Sequence, residues 1–163
     1  MRRKNLQVTD LIKVKAFLRT GHVINTAIHD GDYPYVVPTN YGFQFDEDGL
    51  LHLYLHGAPE GKKRELIAKD GHVAFDIVAK AERYDTPDGE LSNNGYAYQS
   101  IMGTGNASLV TDLKEKREAL ELILDHELGS RDDSLKPADV EYTGVIRIDV
   151  TSMTAKEATK DKN

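Results

Sequence analysis

The chain has 163 residues and no cysteine, and 21 Lys+Arg against 27 Asp+Glu give a formal net charge of −6. Disulfide scaffolds, thiolate metal sites, iron–sulfur clusters and cysteine nucleophiles are thereby excluded, and the acidic balance argues against a nucleic-acid partner held by bulk positive charge. The length predicts one domain; with no apolar run of membrane-spanning length and no apolar segment behind Met1-Arg2-Arg3-Lys4, a soluble cytoplasmic protein with no membrane partner is expected.

A first helix is predicted from a Thr9 cap through Leu18, with Leu11, Val14 and Leu18 on one face and Gly21 as its stop. Val23 to Ile28, Tyr35 to Phe45 and Leu50 to His56 then read as strands, separated by Asp30-Gly31-Asp32 and Asp46-Glu47-Asp48-Gly49. In the third, Leu51, Leu53 and Leu55 take one face and His52, Tyr54 and His56 the other. Pro59 suits the first turn of a second helix that carries Leu66 and Ile67 and ends at Asp70-Gly71. A strand over His72 to Ala79 follows, then a polar stretch from Glu82 to Asn94 that reads as either a long hairpin tip or a lid. Tyr96 to Val110 resumes the β pattern. Asp112 and Glu115 open a third helix that carries Leu113, Leu120, Ile123, Leu124 and Leu128 and stops at Gly129. A last strand spans Thr143 to Val150. The expected division is a single domain over residues 1–154 and a polar, fraying tail over 155–163. Consecutive strands with short links favour an antiparallel barrel or sheet over alternating βαβ units.

Lys62-Lys63-Arg64 opens the second helix just after Gly57-Ala58-Pro59-Glu60-Gly61. Cations at a helix N-terminus oppose the macrodipole unless an anion sits there, so the run is a candidate phosphate site; the competing reading is a solvated helix face. Gly103-Thr104-Gly105 lacks both the third glycine of a dinucleotide loop and the Lys-Ser/Thr of a P-loop, and as glycines within a strand they mark a bulge, a barrel corner or close ligand approach. His52 and His56 are four residues apart on one strand face, roughly 13 Å between Cα atoms, too far to chelate one ion, so no metal site is expected there. His56, at the strand end beside Gly57, is either a half-exposed histidine or a group that faces a ligand and relays a proton. Pro38 interrupts the strand Tyr35 to Phe45, which makes it either a blunted edge or a place where free backbone groups meet a planar polar ligand. No Gly-x-Ser-x-Gly elbow supports hydrolase chemistry.

Met1-Arg2-Arg3-Lys4, Gly21-His22-Val23, Pro34-Tyr35-Val36-Val37-Pro38-Thr39-Asn40-Tyr41-Gly42, His56-Gly57-Ala58-Pro59-Glu60-Gly61-Lys62-Lys63 and Tyr98-Gln99-Ser100-Ile101-Met102-Gly103-Thr104-Gly105-Asn106-Ala107 occur in this order. Together they resemble the pyridoxamine-phosphate-oxidase-like flavoproteins, on the branch that contains the nitroimidazole-resistance (Nim-type) reductases. The likeness runs from the N-terminus to Leu124. It implies a mainly β fold, a six-stranded antiparallel split β-barrel with flanking helices, and a homodimer with FMN in two clefts at the subunit interface. It also implies that Lys62 and Lys63 hold the FMN phosphate, that Val37, Pro38, Thr39 and Asn40 lie along the isoalloxazine edge, that His56 and Gly57 lie near the ring and substrate pocket, and that Ser100 helps to close the site. The sequence departs from the family pattern at Thr104, where an aromatic is common, at Gln99 and Asn106, where a basic residue is common, and at Thr39, which replaces an apolar residue.

The expected function is an FMN-dependent oxidoreductase that passes electrons from NAD(P)H or a reduced partner protein to a small organic acceptor such as a nitroaromatic, with His56 as the candidate catalytic residue. The alternative is a flavin- or haem-binding or storage protein without turnover, because a fold does not fix a function.

Overall fold

The computed structural model describes residues 3–86, 90, 94–130 and 135–159. Met1 and Arg2, part of the Glu82 to Asn94 stretch and residues 160–163 of the expected tail lie outside the described residues. After a 3-10 turn (Lys4–Leu6), the elements are β1 (Gln7–Val8), α1 (Leu11–Thr20), β2 (Ile24–Ile28), β3 (Tyr35–Thr39), β4 (Tyr41–Phe45), β5 (Leu51–Gly57), α2 (Lys62–Lys69), β6 (His72–Tyr84), β7 (Gly95–Val110), α3 (Leu113–Leu128), α4 (Pro137–Tyr142) and β8 (Gly144–Ala158). None of the helices is long and apolar enough to cross a membrane.

The strands form one eight-stranded sheet in the order β3-β2-β6-β7-β8-β5-β4, with β1 added to β8, and every pairing is antiparallel. The expected six-stranded split barrel is therefore not the observed fold: this is a mixed α/β fold whose sheet is not closed. The correction turns on the segment read as one strand from Tyr35 to Phe45. Asn40 divides it, Tyr35–Thr39 pairing with β2 and Tyr41–Phe45 pairing with β5, at opposite ends of the sheet. Among the described residues these two end strands share no ladder, although one residue joins them. Pro38 lies in β3 as an end-strand proline, where its missing N–H leaves no central ladder position unpaired.

The last strand continues eight residues past the expected Val150, to Ala158, pairing Ala155 with Val8 and Ile101. At the described ends of the Glu82 to Asn94 stretch, Tyr84 stands opposite Gly95 across β6 and β7 and the Thr86 N–H donates to Asn94 Oδ1 at 2.8 Å. The first helix takes its cap from Asp10 rather than Thr9, the carboxylate accepting from Ile12 N at 2.9 Å. The second starts at Lys62, not at Pro59, because Gly61 stands at φ +120°, outside helical geometry.

Both glycines of the Gly103-Thr104-Gly105 run serve close packing in the centre of the sheet. A Cβ on Gly103 would lie 2.6 Å from Ser152 O, and one on Gly105 2.7 Å from Asp149 O, beside the bulge where Thr151 is inserted opposite Thr104/Gly105.

The core has two parts because the sheet has two faces. The inner face carries Ile24, Leu53, Leu55, Ile77, Ile101, Ile146 and Ile148, closed by Val14, Phe17 and Leu18 of α1. On the outer face α3 and α4 cover Tyr54, Val110 and Val145 with Ala119, Leu120, Ile123 and Val140. The His52–Tyr54–His56 face of β5 is thus a second packing surface rather than a solvent face, with Tyr54 only 4% exposed. The rest of the outer face is bare: Val36, Val78 and Met102 are exposed on β3, β6 and β7.

Helix α3 approaches the sheet at Gly42, where a Cβ would lie 2.7 Å from Ile123 N and 2.8 Å from the Leu122 carbonyl carbon. Backbone cannot yield as a flexible side chain can, so Gly42→Ala is expected to destabilise the protein by about 1–3 kcal/mol, measured by urea denaturation.

Candidate functional site

Alternation along β3 divides its candidate residues between two faces. Val37 packs against the inner core, and Thr39, opposite Ile24, shares that face; its Oγ1 is buried with no hydrogen-bond partner among the described residues. Pro38 points to the bare outer face, in register with Asn25, Asp76 and Met102 across β2, β6 and β7. Ser100 lies on the same face, opposite Val78 and Lys156. Pro38 and Ser100 are three strands and two residues apart, roughly 16 Å, so the structure places them on one surface without bringing them into contact. Asn40 has a structural contact, its side-chain amide donating to His22 O at 3.0 Å.

His56, Gly57 and Lys63 are brought together where β5 ends and α2 begins. Gly57 leaves room there, since a Cβ on it would meet Lys63 Nζ at 3.5 Å. The two lysines differ in their surroundings. Lys62 is exposed, forms an ion pair with Asp30 and lies 5.0 Å from the Tyr35 ring centroid. Its pKa is raised, chiefly by the hydrogen bond to Asp30. Lys63 is half-buried, and among the described residues no carboxylate pairs with it. Burial first, then the neighbouring Arg64 charge, lower its pKa. Arg64 itself turns inward, donating from Nη1 to Val145 O at 3.2 Å. The helical hydrogen bonds of α2 begin with Arg64 N and Glu65 N on Gly61 O, so Lys63 lies before them at the electropositive end of the helix.

His56 lines a cavity of about 110 Å³ together with Leu120, Ile123, Leu124 and Leu135 and the polar Asp139 and Thr143. Although the residue is open to solvent on one side, desolvation against this wall, then the Lys63 charge, lower its pKa, with Glu127 acting weakly in the opposite direction. His52 has a different task, its Nδ1 2.6 Å from Asp149 and its Nε2 3.2 Å from Asp46.

Sequence reasoning missed the α4 side of this cavity. Lys136-Pro137 was its signal, a proline at the first helical position. The α3 leucines were legible as a helical stripe, but only the fold shows that Leu120, Ile123 and Leu124 wall a cavity.

The sequence profile described as pyridoxamine 5′-phosphate oxidase matches residues 12–157, nearly the whole of the fold described above. The chain belongs to this family. No curated protein matches it at a significant level. Among solved structures, it resembles a protein of Bacteroides thetaiotaomicron VPI-5482 assigned to 5-nitroimidazole antibiotic resistance, with 26% identity, a TM-score of 0.75, and coverage of 93% of this chain and 86% of that one. The flavocytochrome Anf3 of Azotobacter vinelandii matches at 21% identity and a TM-score of 0.75, covering 98% of this chain and 72% of that one. The FAD and heme binding protein of Mycobacterium smegmatis matches at 16% identity and a TM-score of 0.78, covering 93% and 73%. These last two likenesses are of fold alone.

The lowered His56 pKa has a consequence for stability. The unfolded chain takes up the proton first as pH falls below about 6.5, while folded His56 still resists it. The stability linked to His56 is therefore present above that pH and is lost as pH drops through the folded value. In thermal unfolding between pH 7 and pH 5, His56→Gln is expected to flatten the acid-side decline in Tm relative to the unaltered protein.

Proposed function

We propose that the protein is a flavin-dependent oxidoreductase that binds FMN and reduces a small organic acceptor. The observation that carries this reading is Lys63, a half-buried cation without a carboxylate, at the start of α2 and beside Gly57. A phosphate monoester supplies the missing negative charge, and Gly57 lets it approach the backbone. Lys62, already balanced by Asp30, contributes less than Lys63. The bare outer face at Val36, Val78 and Met102, which also carries Pro38 and Ser100, supports a homodimer in which a second copy covers that surface and encloses the planar ring. Val37 and Thr39 act from behind, shaping the strand, with the Thr39 hydroxyl as an unused polar group.

Bound flavin supplies the redox chemistry; this chain supplies orientation and protons. Burial, then the Lys63 charge, disfavour the His56 cation and so favour the neutral ring, in which one nitrogen donates while the other accepts, the form that can relay a proton beside the cavity. The cavity's leucine and isoleucine walls favour an apolar or heteroaromatic acceptor over a charged one. The likeness to the Bacteroides protein makes a 5-nitroimidazole the first acceptor to try.

Purified protein mixed with FMN is expected to show a bound-flavin spectrum that bleaches with NAD(P)H or dithionite and returns when a nitroimidazole is added. The absence of any bound-flavin spectrum would overturn the reading, and bleaching without acceptor-dependent reoxidation would identify a flavin-binding protein without this activity. By fluorescence titration, Lys63→Ala is expected to weaken FMN binding about 10- to 100-fold, the loss of one charge-assisted contact, and Lys62→Ala to weaken it less.

A further inference from the structure

The polar groups that line the cavity beside His56 are unequal in what they can offer a ligand. Asp139 lies in α4 and Thr143 just after it. The register of β5 against β8, with His56 opposite Val145 and Gly57 opposite Gly144, sets this link beside His56. Thr143 directs both of its donors back into the helix: its N–H reaches Asp139 O at 3.0 Å and its hydroxyl reaches the same oxygen at 2.7 Å. The two lone pairs of that carbonyl are thereby taken. What Asp139 and Thr143 have left is acceptors, chiefly the Asp139 carboxylate, which has no ion-pair or hydrogen-bond partner among the described residues. We propose that Asp139 determines acceptor specificity, selecting those apolar or heteroaromatic acceptors that carry a neutral N–H or O–H donor. The inference deepens the oxidoreductase reading and rests on it for treating the ligand as an electron acceptor.

The donor is neutral because of the rest of the lining. Four leucine and isoleucine side chains offer nothing to a ligand cation, which would give up its hydration against them. A neutral donor gives up less and gains a charge-assisted hydrogen bond. A ligand with no donor dehydrates the carboxylate and leaves it unpaired, the asymmetry by which polar sites reject analogues that lack one hydrogen-bonding group. His56 does not impose the same choice, since its neutral ring offers one donor and one acceptor and suits either kind of group. Asp139 also lies in the first turn of α4, where a carboxylate complements the helix dipole. That role bears on helix stability and gives no preference between two ligands, so ligand preference is the quantity to measure.

Two 5-nitroimidazoles that differ at the end of one arm, a 2-hydroxyethyl group and its methyl ether, provide the test. Binding of each is measured by ligand-observed NMR titration with the full chain, mixed with oxidised FMN and no reductant, so that no turnover enters. The unaltered protein is expected to bind the alcohol about tenfold more tightly than the ether. Asp139→Ala is expected to bring the two within about twofold by weakening the alcohol alone. This variant keeps the backbone carbonyl on which Thr143 closes the last turn of α4. Asp139→Asn, which keeps an acceptor without the charge, is expected to retain part of the preference. Equal affinity for alcohol and ether, a preference that survives Asp139→Ala, or no binding of either compound would each overturn the proposal. Should the alcohol be preferred while flavin reduction and reoxidation fail, the oxidoreductase reading falls and the donor-selecting cavity stands.

Discussion

Tyr41 holds the molecule together at the point where its parts would otherwise separate. Its ring is fully buried, its hydroxyl donates to Leu18 O at 2.6 Å, and its carbonyl faces His126 Nδ1 at 2.6 Å. A single residue of β4 thus joins the C-terminal end of α1 to the last turn of α3. The phenol pKa is pushed well up, by burial first and the Glu127 charge second, so the hydroxyl remains a donor at any physiological pH. Without it Leu18 O would be a buried acceptor with nothing to accept, a cost of about 1–3 kcal/mol.

The consequences reach the candidate site. Because Tyr41 and Gly42 seat α3 against the end of the sheet, Leu120, Ile123 and Leu124 form a wall beside His56 instead of a solvent-facing stripe. The same seating brings His126 and Glu127 to His22, just beyond α1. The open sheet has a further effect. With β3 and β4 at its two ends and no ladder between them, the connection at Asn40 lies between the outer-face surface that carries Pro38 and the polar cluster around His22. Helices cover one half of the outer face and leave Val36, Val78 and Met102 exposed on the other, beside the polar Asn25, Asp76, Ser100 and Lys156.

Local signals read well wherever one interaction decided the outcome. Leu51, Leu53 and Leu55 alternate as a core strand should, Asp112 caps α3 by accepting from Glu115 N at 2.8 Å, and Gly129 ends it at φ +69°. They failed where pairing partners decide. Nothing in Tyr35 to Phe45 states that its halves bond to different strands, because both halves have the same β-favouring composition. Leu113 and Leu128 looked like core residues by spacing and are exposed, whereas Lys116 and His126 are buried on the same helix, their polar atoms satisfied by carbonyls of other elements.

By itself the sequence determined helices α1 to α3 and most of the strands, the family and the basic run after Gly57-Ala58-Pro59-Glu60-Gly61, since these depend on neighbours along the chain and on motif order. Tertiary structure alone decided that the sheet stays open, that Lys62 is neutralised while Lys63 is not, and that His56 faces an apolar wall. It also decided which histidines meet: His52 and His56 stay apart on one extended strand, while His22 and His126 stack. Charge balance, desolvation and convergence depend on which groups lie within a few ångströms across the fold, and those distances are set by packing between elements far apart in the chain.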